Sequence, residues 1–473
     1  MKIALHWQII IALILATIAG ILFPVSYEIT EEDVEQAKVT SFEEKEKILP
    51  QLSQLKGESF QSSKGFEEKL QATYPALTKK DQKKLIELAK HTPIDYVSWM
   101  GDIFLRALKM IIVPLILSSI ISGIANLGNG ENLGRLGGKT VLYYLTTSVF
   151  AIVTGLVFVN IIQPGVGAPI GNAAEVEGLE EARGSFGDTL LNMIPTNVFD
   201  AFTKGDMLSI IFFAILFGFF ITKVQEKYSQ QLTNFFNATF EVMMQITMFI
   251  IKFTALGVFG LVAAIVAEQA GDSAALTAMA ASLGKYMVAV VAALGFHFFI
   301  TLPLLMRFVG KVNPLAHFKN MATPLLTAFS TSSSSATLPL TLTAVEQKSG
   351  VSNKITSFTL PLGATINMDG TALYECVAAM FIAQAYGISL SLGEQVIVVM
   401  TALLASIGAA GIPMAGLVMI SVILTAVGLP LEGIGMVLAV DRVLDMLRTT
   451  TNVWSDSCGA VIVAKSEGED LKV

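Results

Sequence analysis

The sequence predicts an all-α, multi-pass membrane protein, and three observations carry that expectation. Of 473 residues, 53% are hydrophobic and only 15% charged, with a mean hydropathy of +0.65. So few charged side chains do not cover a soluble surface of this size, and the same composition excludes a disordered, collagen-like or small disulfide-stapled chain. The charges are also unevenly placed, with 14 acidic and 11 basic residues between Ser26 and Asp95 and a body depleted of charge elsewhere. Finally, apolar runs long enough to cross about 30 Å of hydrocarbon recur along the chain. A net charge of -7 leaves no basic stripe for nucleic acid. Cys376 and Cys458 lie in apolar surroundings and suggest neither a disulfide framework nor a cysteine-bound metal.

Taken in order, the spans are expected near Ile3 to Val25, Tyr96 to Leu127, Thr140 to Ile162, Leu208 to Val224, Phe235 to Val266 and Ala280 to Val309. The first is read as an uncleaved membrane helix rather than a signal peptide, being long and lacking a small-x-small cleavage site. The fifth is longer than one crossing requires. Between the first and second spans, Ser26 to Asp95 reads as a solvated helical insertion, with Thr78 capping an amphipathic helix through Leu85 to Ala89. Beyond Pro314 the apolar stretches are interrupted at membrane depth over Ser330 to Thr343, Gly363 to Thr371, Ser406 to Gly416 and Asp441 to Asp456. Irregular backbone there is tolerated only where it packs in protein or lines a wet cavity. The C-terminal third is therefore where a site is expected.

Lys2, Arg135, Lys139, Lys223, Lys227, Arg307, Lys311, Lys319, Lys465 and Lys472 fall on one side if the spans alternate, and positive charge marks that side as cytoplasmic, both termini included. With that sidedness, Pro314 to Lys465 reads as re-entrant hairpin, helix, re-entrant hairpin, helix, entered from opposite sides. Such a pattern is the footprint of an inverted repeat, a transporter feature.

Four polar pieces could carry chemistry. Ser332 to Ser335 reads equally as a flexible linker or as a hydroxyl-rich hairpin tip whose free N–H groups hold a carboxylate. Asn367-Met368-Asp369-Gly370-Thr371 interrupts a helix. It is either a kink whose Asp pairs with a neighbour or an oxygen-rich site for a monovalent cation. Asp441, Asp445, Arg448, Thr449, Asn452 and Asp456 form one polar stripe on the last helix. Its Arg448 offers a planar fork to a carboxylate, or simply pairs with Asp445. Glu375 is a carboxyl that could load a proton when buried and neutral, or a helix-packing residue.

Together the strings SSSSATLP, NMDGTALYE, GAAGIP and RTTTN resemble the dicarboxylate/amino acid:cation symporter family, the excitatory amino acid and archaeal aspartate transporters included. The resemblance covers nearly the whole chain outside Ser26 to Asp95. It implies a homotrimer with eight transmembrane helices and two re-entrant hairpins, in which a transport domain moves as an elevator against a scaffold, within the cell membrane and its lipid. On that pattern residues 1–25 and 96–127 are scaffold helices, 26–95 an extracytoplasmic insertion, and 128–165 the third helix, of the transport domain. Residues 166–271 hold the fourth and fifth helices with the trimer contacts, and 272–310 the sixth. The first hairpin is 311–352, the seventh helix 353–387, the second hairpin 388–429, the eighth helix 430–465 and the cytoplasmic tail 466–473.

The resemblance also implies roles. Arg448 matches the arginine that binds the substrate's side-chain carboxylate, and Asp445 the carboxylate that receives its ammonium. Thr449, Asn452 and Thr371 match polar contacts, while Ser333, Ser334, Ser335, Ala410 and Gly411 match the closing hairpin tips. For sodium, Gly363, Asn367, Asn452 and Asp456 resemble one site, Thr365, Ser406 and Ile407 another, and Tyr144, Thr147, Ser148, Asn367 and Asp369 a third. Asp441 is similar to an aspartate lying behind the substrate contacts. Neutral amino acid carriers of the family lack the arginine and carriers of succinate and fumarate lack the aspartate. The chain has both, so L-glutamate or L-aspartate is expected with sodium as coupling ion and no cofactor, ahead of a C4-dicarboxylate. Glu375 stands where proton-coupled animal members carry glutamate. The family usually places a second arginine either before the serines of the first hairpin or two residues before the substrate arginine; here those positions match Ser332 and Met446, so the charge around Asp445 is expected to be one positive short, which bears on affinity and on potassium countertransport. His297 is expected to pack rather than to bind. An intramembrane aspartyl protease built on Asp369 with Asp441 or Asp445, a hydrolase with Ser333 as nucleophile, and a channel or receptor are the competing classes.

Overall fold

The structure is a computed structural model, and it describes residues 5–40, 42, 56, 58–60, 63–73, 78–127, 133–168, 191, 193–408 and 415–473. Helices dominate, as the apolar runs require, since a backbone in hydrocarbon must satisfy its hydrogen bonds within the segment. The chain divides into two compact units, Met1–Leu105 with Lys252–Ala281, and Arg106–Ile251 with Ser282–Val473.

In the first unit, helix α1 (Leu5–Leu22) packs on helix Thr254–Gln269, with Gly20 against Val266. Gly260 lies against the backbone of Gly101, the close approach that small residues permit between helices. The outer face of α1 leaves Ile11, Ile14, Ile18 and Leu22 exposed, an apolar surface suited to lipid rather than water. The charged insertion does hold helices, α2 (Glu31–Val39), α3 (Ser63–Thr73) and α4 (Lys79–Ala89). Thr78 caps α4 by accepting from Asp81 N, as expected. Not anticipated is a three-stranded antiparallel sheet in which β1 (Ser26–Glu28) lies between β2 (Ser59–Phe60) and β3 (Lys90–His91). Ile29, Phe66, Leu70 and Leu85 form its buried apolar side. Lys90 pairs with Glu268, and Val25 N donates to Ala267 O at 3.0 Å, which tie the insertion to the adjoining helix end.

Helix α5 (Asp95–Leu127) is followed by α6 (Leu133–Ile162), the short α7 (Val198–Lys204), α8 (Met207–Ile221), α9 (Glu226–Ile251) and α10 (Thr254–Gln269). The long fifth run is thus two helices, interrupted at Lys252 and Phe253. Next comes α11 (Ser273–Phe308), with a π-helical turn over His297–Thr301. Among the described residues, three helices are singly long and apolar enough to cross a membrane, Asp95–Asn126, Arg135–Ile162 and Ser273–Phe308, and a fourth span arises if α9 and α10 count as one.

The polar part of the second unit follows from α12 (Pro314–Asn320), α13 (Ala322–Thr331) and α14 (Ser334–Thr343), the last continuing as a π-turn to Ser349. Then come α15 (Asn353–Ile366), α16 (Asp369–Ala385), α17 (Leu392–Gly408), α18 (Ala415–Ala426) and α19 (Ile434–Ser466). Helix α16 is apolar nearly all round and is accordingly buried, packed on α6 and α19. At the far end of α19, Glu467 binds Arg135 at 2.6 Å and Lys139 at 2.6 Å, and those pairs hold its carboxyl below the usual range. Glu469 accepts from Ser352 N at 2.9 Å, and Lys472 N donates to Ser349 O at 3.0 Å. The expected tail is therefore a strap across the starts of α6 and α15.

Candidate functional site

The stripe on α19 survives folding as a buried row, for Asp441, Asp445, Arg448, Thr449, Asn452 and Asp456 are each no more than 5% exposed. A buried guanidinium without compensation is untenable in such surroundings, and Arg448 is compensated twice. Its Nε donates to Asp445 Oδ1 at 2.8 Å and its Nη1 to Asp441 Oδ1 at 3.3 Å. The intrahelical pair is therefore formed, but as part of a triad. Tyr374 of α16 lies under the guanidinium, its ring centroid 4.5 Å from Cζ, and its hydroxyl donates to Asp441 Oδ1 at 2.6 Å. From α18, Gly416 sits where any Cβ would overlap the guanidinium, so only glycine permits this close approach to Arg448.

Asp445 is not left with a single positive neighbour, because Arg442 Nη1 lies 3.5 Å from Asp445 Oδ2, one helical turn earlier on α19. The extra cation comes from neither position 332 nor position 446 but from Arg442, three residues before Asp445.

The second cluster forms where α15 ends. Only Asn367 and Met368 leave the helical conformation, and α16 restarts at Asp369, whose carboxylate suits a helix N-terminus. Asp369 is fully buried and accepts from Ser148 Oγ at 2.7 Å and Ser455 Oγ at 2.6 Å, while His297 Nε2 stands 3.2 Å from its Oδ2. Asn367 Nδ2 donates to Asp456 Oδ1 at 2.9 Å and to Ser455 Oγ at 3.0 Å, and Thr147 Oγ1 donates to Asn367 Oδ1 at 3.4 Å. Tyr144 donates to Thr359 O at 2.6 Å, and Gly363 sits where a Cβ would crowd both Asp456 and the Tyr144 hydroxyl. Carboxylate, amide and hydroxyl oxygens from α6, α15, α16 and α19 thus converge on the break. Asp369 thus pairs with two serine hydroxyls and the His297 ring, as the kink reading expects.

Asn452 joins the two clusters. Its Oδ1 accepts from the N–H groups of Gly370 at 2.8 Å and Thr371 at 3.3 Å, and its Nδ2 donates to Thr371 Oγ1 at 3.0 Å. Gly370 is required there, since a Cβ would strike the Arg448 backbone. Gly370→Ala is expected to destabilise by about 1–3 kcal/mol through overpacking against rigid backbone. A lowered melting temperature of the purified protein checks it; an unchanged one contradicts the contact.

Glu375, one turn further along α16, is fully buried, and neither of its carboxyl oxygens has a hydrogen-bond partner among the described residues. Between α13 and α14, Ser332 adopts a left-handed conformation with φ of 51°, and Ser333 caps α14 by accepting from Ala336 N. Ser334 is buried and Ser335 exposed, and only Ser332 and Ser333 separate α13 from α14. The group Thr365, Ser406 and Ile407 is less assembled. Thr365 is exposed and donates to Leu362 O at 2.9 Å, Ser406 donates to Leu403 O at 2.8 Å, and Ile407 lies in α17. Ala410 and Gly411 lie outside the described residues.

Sequence reasoning missed His297, Ser455, Tyr374 and Arg442. His297 was expected to pack, and it is buried, yet its ring nitrogen reaches the Asp369 carboxylate. A single histidine on an apolar run gives no spacing signal. Ser455, three residues past Asn452 and seven past Arg448, lies at the edge of the same stripe, and Arg442 stands three residues before Asp445; both spacings bring side chains together on a helix.

A model of the sodium:dicarboxylate symporter family matches residues 5–466. The chain is 36% identical over 381 residues to the proton/sodium-glutamate symport protein of Geobacillus stearothermophilus, covering 79% of this chain and 88% of that one. It is 38% identical over 431 residues to excitatory amino acid transporter 3 of Mus musculus, covering 80% of each. With the proton/glutamate-aspartate symporter of Escherichia coli (strain K12) it shares 34% identity over 383 residues, 79% of this chain and 86% of that protein.

Proposed function

The chain belongs to the sodium:dicarboxylate symporter family, and from that premise we propose that it carries L-glutamate or L-aspartate across the cell membrane together with sodium. It is a multi-pass membrane protein and a transporter rather than an enzyme, as its family and relatives are. The observation that carries the substrate is the buried triad of Arg448, Asp445 and Asp441 beside Thr449, Asn452 and Thr371. An acidic amino acid brings two carboxylates and an ammonium. Its side-chain carboxylate fits the Arg448 fork, displacing the acidic partners that now fill it, and its ammonium fits the Asp445 carboxylate so released.

Sodium, as cargo, fits the oxygens around the helix break. Tyr144, Thr147, Ser148, Asn367 and Asp369 would form one position and Gly363, Asn367, Asn452 and Asp456 another, with Thr365, Ser406 and Ile407 assembling a third when the second hairpin closes. Ser333, Ser334 and Ser335 with Ala410 and Gly411 would close over the substrate. The proposed architecture is a homotrimer of eight spans and two re-entrant hairpins within membrane lipid, both termini cytoplasmic. A transport domain of residues 128–165, 272–310 and 311–465 would move as an elevator against the scaffold.

Glu375 is the proton carrier in this reading. An unpaired carboxylate costs roughly 2.5–3.5 kcal/mol at membrane depth, whereas the protonated acid adds no charge. The test is uptake into proteoliposomes under an inward sodium gradient, with labelled aspartate, glutamate and succinate compared across pH. Uptake of the amino acids over succinate is expected, with a pH dependence in wild type that flattens in Glu375→Gln. Succinate uptake of equal affinity that ignores Asp445→Ala would overturn the substrate. Identical pH profiles in wild type and Glu375→Gln would remove the proton role.

A further inference from the structure

We propose that Arg442 is a positioning residue for substrate binding, holding the Asp445 carboxylate in place while Arg448 changes partners and keeping the site electrically receptive to an anionic substrate. Asp445 has its Oδ1 engaged by Arg448, and its Oδ2 is buried without a hydrogen bond among the described residues, 3.5 Å from Arg442 Nη1. The Arg442 side chain is 22% exposed and that of Asp445 3%, so the arginine reaches a buried carboxylate from the rim of the site.

Two physical consequences follow. Asp441, Asp445 and Arg448 alone leave one net negative charge, to which an acidic amino acid adds another. Arg442 restores neutrality before the substrate arrives, so each incoming carboxylate meets less repulsion. When the substrate takes the Arg448 fork, Asp445 loses its Oδ1 partner in a low-dielectric site. A second guanidinium already beside Oδ2 keeps that carboxylate charged, oriented and available to the ammonium. Arg442 touches neither substrate nor sodium in this account. Its effect passes through Asp445.

The inference rests on the substrate reading above, and the experiment separates the two. Full-length protein in proteoliposomes is assayed for sodium-driven uptake of labelled L-aspartate as wild type, Arg442→Gln and Arg442→Lys. The expected result is a KM about tenfold higher in Arg442→Gln, the change worth one partly buried charge pair, with the maximal rate within about twofold of wild type. Arg442→Lys, which keeps the charge, returns KM most of the way. A merely structural role would lower the maximal rate and the melting temperature and leave KM alone, and lysine would not rescue it through charge. If Arg442→Gln does not insert, Arg442→Leu carries the same expectation. An unchanged KM in the charge-removing variant overturns the role of Arg442 alone. Absence of aspartate uptake by wild type overturns the substrate reading and this role with it.

Discussion

Arg448→Ala is expected to reduce sodium-driven uptake of labelled L-aspartate to background. Two losses combine. The substrate's side-chain carboxylate loses a bidentate, charge-assisted partner, and Asp441 and Asp445, which share that guanidinium at 3.3 and 2.8 Å, become buried charges facing one another. Removing one partner of a buried pair costs about 3–5 kcal/mol, which in binding terms is roughly 10²-fold to 10⁴-fold in affinity. Arg448→Lys should restore little, because an ammonium is a point donor that does not bridge Asp441 and Asp445 or present a fork. Uptake assays on both variants, with melting curves to confirm that each is folded, decide the point. Near-normal KM in either would place the substrate carboxylate elsewhere.

The second large effect is expected at Asp369. Asp369→Asn preserves shape but removes the charge on which Ser148, Ser455 and His297 converge, and the amide nitrogen that replaces one oxygen cannot accept from them. Sodium binding in a low-dielectric site draws on that formal negative charge, so the sodium concentration for half-maximal uptake should rise by about tenfold or more. Aspartate uptake measured against a sodium series reads it. Saturating sodium should restore part of the rate, whereas a curve coincident with wild type would remove Asp369 from the cation site.

Much of this site was legible because helical geometry makes it so. A stripe recurring every three or four residues on one long helix must share a face, and helix-averse residues at membrane depth must break the helix where packing or a cavity accepts them. Asn367 and Asp369 stand at such a break, and Asp441 to Asp456 on such a face. What stayed illegible depends on long-range proximity. His297 comes to Asp369 across 72 positions of chain, and no periodicity announces that contact. The sheet in the insertion is built of strands two and three residues long, too short for alternation to register. The interruption at Lys252 and Phe253 carries no glycine or proline to mark it.

The proposed substrate and sodium positions are coupled through one scaffold, because Asn452 on α19 is hydrogen-bonded to Gly370 and Thr371 next to the helix break. Ligands that order the same segment must raise each other's affinity by the same factor. The direct measurement is equilibrium binding of L-aspartate to purified protein along a sodium series at constant ionic strength, with choline as the replacing cation. The dissociation constant is expected to fall by at least about fivefold as sodium replaces choline. An equal dissociation constant in sodium and in choline would contradict it.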